Sequence, residues 1–303
     1  MAGTGGSPEK AILYAFLANT GIAIAKLAAA IYTSSGSMLA EAIHSMADSG
    51  NQILLYIGLK GAERPADANH PMGYGKLSYF WSFIVALMLF SVGGVFSIYE
   101  GWHKLSSATP LNDLWVGMLV LAGAIILESF SLAGAVREAN LMRGEQSFRH
   151  WFKHTRNAEI VVVLGEDVAA IIGLILALGF LTLTSITGDP VYDALGSICI
   201  GVVLIIVAIF IAVRVQSLLV GKSAEPELQA SIIKAIESDP NIHRLLNTIT
   251  LQFGPKVMLA AKIEMTPGIS IEDAVTHINL LEISIKAQNP TVGWCFIEPD
   301  CVD

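Results

Sequence analysis

Charge is what this 303-residue sequence has least of. Asp, Glu, Lys and Arg make up 15% of it, against about 25% in an ordinary soluble domain. That shortage argues against a soluble enzyme, and against a disordered chain or one that coats nucleic acid, both of which need dense charge. The charge present is mainly acidic, net −8, so a polyanionic partner is disfavoured and no nucleic acid is expected. Cysteine is nearly absent: Cys199, Cys295 and Cys301 show no CxxC spacing and cannot build a disulfide framework. HExxH, GxSxG and the P-loop pattern are all missing. Their absence removes the usual signs of an intramembrane zinc protease, a serine hydrolase and an ATPase, and no enzyme activity is expected.

Apolar residues are abundant, at 53%. A membrane-spanning helix needs about 20 of them in a run. Six segments qualify: Ala11–Tyr32, Met38–Leu59, Leu77–Tyr99, Leu114–Val136, Ile160–Leu183 and Val191–Val213. The texture changes after Arg214. Between Ser223 and Asp303 there are 11 acidic and 5 basic side chains and no spanning run. The expected organisation is a six-helix transmembrane domain over 1–221 and a water-exposed domain over 222–303.

Lys and Arg near the span ends set the orientation. Lys10, Lys60, Arg64, Lys76, Arg137, Arg143, Arg149, Lys153, Arg156, Arg214 and Lys222 fall on one side, and Lys104 alone on the other. This bias places both termini in the cytoplasm, and an even number of spans agrees. The opening MAGTGGSPEK carries no signal-peptide cleavage pattern. It also lacks the Arg- and Ser-rich character of a mitochondrial import signal, so a bacterial cytoplasmic membrane is the expected host. His150 and His154 are one helical turn apart in the basic connection Arg137–Asn157. That segment reads as a basic turn against anionic headgroups rather than as a metal site.

The last 80 or so residues alternate helical and strand periodicity. Pro226–Glu237 and Ile271–Ala287 read as helices. Leu245–Phe253 and Val257–Met265 read as strands joined at Gly254-Pro255, and Gly293–Ile297 as a third strand. The order αββαβ is that of a ferredoxin-like α+β sandwich.

Ionisable groups inside spans are expensive, and each is a candidate functional site. The second span reads MLAEAIHSMADSGNQILLYIGL. His44 and Asp48 lie one turn apart on one face, and Glu41 and Asn51 extend the same stripe. The fifth span carries Glu166 and Asp167. Adjacent residues are separated by about 100° on a helix, so the two acids cannot face one centre together. Imidazole and carboxylates suit Zn²⁺ or a related divalent ion. His44, Asp48 and Asp167 are the candidate ligands, with water, Glu166 or a backbone carbonyl as the fourth. Ligating groups must be deprotonated, so metal and protons compete for His44, Asp48 and Asp167. His44, whose type titrates near neutrality, is the first candidate for proton coupling. Lys26, Glu128 and Asn19 read as structural partners, Lys26 as a neutraliser of Glu41 or another acid.

The runs SGSMLAEAIHSMADSGNQ, RPADANHPMGYGK and FIEPD together resemble the cation diffusion facilitator family. LGEDVAA in the fifth span resembles its zinc transporter nine-like branch. The resemblance covers almost the whole chain. It implies a homodimeric exporter of divalent metal from the cytoplasm, driven by proton exchange, with no resident cofactor. Zn²⁺ is the first candidate for the transported ion, and Mn²⁺, Fe²⁺ or Co²⁺ are alternatives. A non-transporting metal sensor or scaffold is the other class to weigh. The family's transport site takes two ligands at i, i+4 from each of the second and fifth spans. His44 and Asp48 match the first pair and Asp167 the second acid, while Val163 occupies the remaining position. The resemblance also implies secondary metal candidates. Asp67 and His70 match a loop site whose third position is Tyr74, and Glu298 and Asp300 match the end of a tail site.

Overall fold

The structure is a computed structural model that describes residues 8–106 and 113–302. The chain divides into two compact units. The first comprises the chain up to Leu59, Phe80–Glu145 and Ala158–Val215; the second comprises Lys60–Tyr79, Gln146–Asn157 and Gln216 to the end.

The first unit is helical. It is built from α1 (Pro8–Thr33), α2 (Gly36–Ala62), α3 (Leu77–Met88), a π-helical segment Leu89–Val95, α4 (Phe96–Ser106), α5 (Leu114–Arg143), α7 (Ala158–Thr187) and α8 (Val191–Val220), except that 60–62 of α2, 77–79 of α3 and 216–220 of α8 belong to the second unit. Among the described residues four helices are long and apolar enough to cross a membrane: Leu77–Ser106, Leu114–Arg143, Ala158–Thr187 and Val191–Val220. Each has 30 residues, or about 45 Å of helix, against a hydrocarbon core about 30 Å thick. The α2 segment falls outside that group because its polar stripe dilutes the apolar run. Large side chains such as Ile126, Phe130 and Ile206 point outward, as a lipid-facing surface requires. The chain is a multi-pass membrane protein.

Small residues let these helices approach closely. A β-carbon added at Gly201 on α8 would lie 2.7 Å from the Gly94 carbonyl oxygen, and one at Gly101 on α4 would lie 2.6 Å from that of Ala194. Without a hydrophobic drive between helices in lipid, such close backbone packing supplies the association energy.

The second unit holds α6 (Phe148–His154), α9 (Pro226–Glu237), β1 (Ile242–Phe253), β2 (Lys256–Met265), α10 (Ile271–Gln288) and β3 (Val292–Pro299). The αββαβ order is as expected, with strands one to three residues longer at some ends. The sheet order is β1-β2-β3; β1 pairs antiparallel with β2, and β2 parallel with β3. The parallel pair requires a crossover, which α10 supplies. Pro226 begins α9, and the Ser270 hydroxyl caps α10 by accepting from the Asp273 amide at 3.1 Å. On β2, Val257, Leu259, Ala261 and Ile263 alternate as buried positions, and the last three join Ile232 and Ile236 of α9 and Leu281 and Ile285 of α10 in one core. Fully burying each Ile or Leu contributes about 1.5–3 kcal/mol.

The connection Gln146–Asn157 is fastened to the rest of this unit. Arg156 is buried and donates to the carbonyls of Ser223 (2.8 Å) and Ala224 (3.1 Å). His150 Nε2 lies 2.9 Å from Glu227 Oε1. Two residues of this basic segment, Arg156 and His150, thus engage carbonyls and an acid of the tail domain.

Candidate metal pathway along the second helix

Helix α2 carries a polar face from end to end. At its start Ser35 and Ser37 donate their hydroxyls to Asp193 Oδ1, each at 2.5 Å, and the Gly36 amide donates to Asp193 Oδ2 at 2.6 Å. Asp193 belongs to the first turn of α8 and is buried. A carboxylate at a helix N-terminus satisfies orphan amides and meets the positive end of the helix dipole. Lys104 at the end of α4 lies 3.9 Å from the same carboxylate and donates to the Ser34 carbonyl.

One turn further, Glu41 Oε2 accepts from Lys26 Nζ of α1 at 3.2 Å, and the same ammonium donates to Ser45 Oγ at 2.6 Å. Lys26 and Glu41 are both fully buried. Next come His44 and Asp48, with Nε2 and Oδ2 separated by 3.5 Å. His44 is fully buried and Asp48 nearly so. The π-helical segment opposes His44: a β-carbon added at Gly93 would lie 3.9 Å from His44 Nδ1. Such segments inside α-helices recur at functional sites. At the far end Asn51 donates to Glu166 Oε1 on α7 at 2.6 Å.

Several buried polar atoms on this face have no hydrogen-bond partner among the described residues. They are Glu41 Oε1, both His44 ring nitrogens, Asp48 Oδ1, Asn51 Oδ1 and Gln52 Oε1. Buried polar groups are normally satisfied. A run of lone pairs on one helix face is chemistry suited to a cation.

The expected site residues are brought together in part. His44 and Asp48 face each other. Glu166 meets α2 through Asn51, while Asp167 turns to α5, where Ser131 donates to its Oδ2 at 3.2 Å. The angular separation expected of adjacent acids is therefore realised. Among the described residues, no three His, Cys, Asp or Glu side chains converge to hold an ion. Val163 lies one turn before Asp167 on α7 and, like it, is half-buried.

In the loop of the second unit, Asp67 Oδ1 accepts from the amides of Asn69 (2.9 Å) and His70 (2.7 Å), and Oδ2 accepts from the Tyr74 hydroxyl (2.6 Å). The Tyr74 hydroxyl and these amides hold the Asp67 carboxyl below the usual range. The His70 and Tyr74 rings lie 4.2 Å apart. In the tail, Lys262 donates to Asp300 Oδ2 at 2.8 Å. Glu298 lies opposite Lys262 in the strand register and beside an open hollow that Asn247, Ile249 and Phe296 also line. Cys295 is buried in the core, and burial pushes its thiol up to about 11, so it packs rather than ligates.

Residues 12–220 match the cation efflux transmembrane domain. The chain belongs to the cation diffusion facilitator, or cation efflux, family. It is 34% identical over 260 residues to the human mitochondrial proton-coupled zinc antiporter SLC30A9, covering 85% of this chain and 46% of the relative. It is 32% identical over 225 residues to metal tolerance protein C4 of Arabidopsis thaliana, covering 74% and 49%. To the cation-efflux pump FieF of Escherichia coli O9:H4 it is 25% identical over 263 residues, covering 86% and 81%. The chain spans about half the length of the zinc antiporter and the plant protein.

The residues that sequence reasoning missed are Asp193, its serine partners Ser35 and Ser37, and Lys104. A signal was present: an acid in the first turn of an apolar helix, and Ser-Gly-Ser at the start of another. Their pairing spans 156–158 positions of sequence, so neither segment alone exposes it.

Proposed function

We propose that this chain exports divalent metal, Zn²⁺ first, from the cytoplasm in exchange for protons. The observation that carries the reading is the buried His44–Asp48 pair, an imidazole and a carboxylate one turn apart with unpartnered lone pairs, inside the segment that matches the cation efflux domain. The relative named as a proton-coupled zinc antiporter supports zinc and proton exchange. Imidazole favours Zn²⁺ over Mn²⁺, and Fe²⁺ and Co²⁺ are the next candidates.

In this reading α1 and α2 span the membrane with the four longer helices, and both termini lie in the cytoplasm. The ion enters from the Asn51 end of α2 and binds His44 and Asp48. Asp167 turns from Ser131 to join them, and Glu166 stays with Asn51 to hold the α2–α7 seam. Rocking of the helices exposes the ion outward. Protons then occupy the emptied ligands, because ligation and protonation use the same lone pairs. The tail domain supports a homodimer. A bacterial cytoplasmic membrane is the proposed host.

The test is metal flux into proteoliposomes under an imposed pH gradient, with Zn²⁺, Mn²⁺, Fe²⁺ and Co²⁺, for the parent and Asp48→Ala. Gradient-dependent Zn²⁺ flux that disappears in Asp48→Ala is expected. Flux retained by Asp48→Ala removes the site assignment. Binding without flux for every ion makes the protein a sensor or scaffold.

A further inference from the structure

The proposed transport site does not use Lys26 or Glu41, yet both are fully buried and joined at 3.2 Å. A buried ion pair is a weak source of stability, since desolvation offsets its attraction. Inside a membrane its default reading is functional. Three features give it one.

First, position. Glu41 precedes His44 by three residues, about 4.5 Å along the helix axis. In the orientation proposed above, that is the outward side of the site. Second, the carboxylate is half used. Oε2 takes the ammonium, while Oε1 is buried with no hydrogen-bond partner among the described residues. Third, α7 leaves room for it. Oε1 reaches Gly173, where an added β-carbon would sit 2.4 Å away. The carboxylate therefore occupies the seam between α2 and α7 itself.

A divalent ion moving outward along this face meets a fixed ammonium in a low-dielectric interior, where repulsion between cations is strong. It can pass only if Lys26 leaves Glu41. Once freed, Glu41 offers the ion a negative charge. We propose that Lys26 and Glu41 form the outward gate of this pathway. Lys26 is a tethered cation that closes the gate, and Glu41 is the first carboxylate the exiting ion meets.

The inference rests on the transport reading, and one experiment separates the two. Full-length parent, Glu41→Gln and the double variant Lys26→Met/Glu41→Gln are assayed for Zn²⁺ binding in detergent and for Zn²⁺ flux in proteoliposomes. Glu41→Gln is expected to bind Zn²⁺ within about threefold of the parent and to lose at least about tenfold in flux. Retained binding also shows that the variant is folded. The double variant is expected to stay as slow as the single one, because a gate needs the carboxylate and not merely charge balance. Parental flux in Glu41→Gln overturns the gate. So does recovery of flux in the double variant, which would make the pair structural. Zn²⁺ affinity that falls in step with flux also overturns it, by placing Glu41 in the inner site. A parent that carries no metal sinks the transport reading, and the gate with it.

Discussion

Asn51 on α2 donates its side-chain amide to Glu166 on α7 across 2.6 Å. This bond ties one acid of the Glu166–Asp167 pair to the seam and leaves the other turned toward Ser131. The two acids are neighbours in sequence but have separate partners, so their substitutions should separate too. Glu166→Gln keeps an oxygen for Asn51 and should retain flux within about threefold. Asp167→Asn removes a proposed ligand and should lose at least about tenfold. Zn²⁺ flux in proteoliposomes measures both, and equal losses would mean that both acids serve the ion.

Val163 stands where a fourth ligand would be expected, one turn before Asp167 and half-buried beside it. Val163→His would place an imidazole and a carboxylate at i, i+4 on α7, repeating the arrangement of His44 and Asp48 on α2. Zn²⁺ binding should tighten by on the order of tenfold, about 1.4 kcal/mol. Turnover should slow as release becomes harder, since transport needs an ion that can leave. Titration calorimetry reads the affinity; an unchanged value would mean that the fourth ligand comes from elsewhere.

Much of this architecture is legible in the sequence, for physical reasons. The apolar runs over α3 to α5, α7 and α8 and the strand alternation in β2 are strong local periodicities. The positions of α9 and α10 follow from their helical periodicity. The His44–Asp48 pair is legible because four residues make one helical turn. Contacts between distant segments are not encoded this way. The Asp193 carboxylate meets Ser35, Gly36 and Ser37 only because α8 packs against the start of α2. Arg156 reads as a membrane-facing cation until the Ser223 and Ala224 carbonyls are placed beside it. The turn of Asp167 toward α5 depends on helix rotation, which composition does not reveal.

The Asp193 cap should matter for stability. Its carboxylate takes two hydroxyls and the Gly36 amide, all within 2.6 Å, and Lys104 lies nearby. Asp193→Ala takes this acceptor from the two hydroxyls and the Gly36 amide in a buried setting, and leaves the Lys104 ammonium with the Ser34 carbonyl but no nearby carboxylate. The cost should be about 2–4 kcal/mol. Asp193→Asn keeps one acceptor oxygen and should cost less. Unfolding of the purified protein in mixed micelles measures the difference; equal stability of Asp193→Ala and parent would show that the cap is dispensable.

Gly254 ties the β1–β2 hairpin to the loop before α3. Its backbone has φ +62°, and a β-carbon there would lie 2.6 Å from the Gly75 carbonyl oxygen. The Tyr79 hydroxyl donates to the Gly254 carbonyl at 3.0 Å. Gly254→Ala combines a left-handed backbone with a direct clash, so it should destabilise this contact by about 1–3 kcal/mol. Amide hydrogen exchange in the full-length protein should show lost protection at the hairpin tip and around Gly75, with the rest of β2 unchanged. Undisturbed exchange at both places would mean that the hairpin tip and the loop do not support each other.

Asp67 makes the conformation of the Asp67–Tyr74 loop dependent on pH. Its carboxylate accepts from Tyr74, His70 and Asn69, and these bonds depress its pKa in the folded state. A depressed acid stabilises the fold above its unfolded pKa, about 3.9 for Asp, and loses that contribution as pH falls through the lower folded value. Loop amides should therefore be protected at neutral pH and lose protection below about pH 4. Asp67→Asn should show weak protection throughout and little pH dependence. The same experiment bears on metal at this loop. An ion held by Asp67 and His70 must displace the Tyr74 hydroxyl from Oδ2, so Zn²⁺ should change the exchange of Tyr74 and its neighbours in the parent but not in Asp67→Asn. If Zn²⁺ leaves the parent loop unaltered, Asp67 is a turn-forming residue, and metal chemistry at the secondary candidates rests on the tail alone.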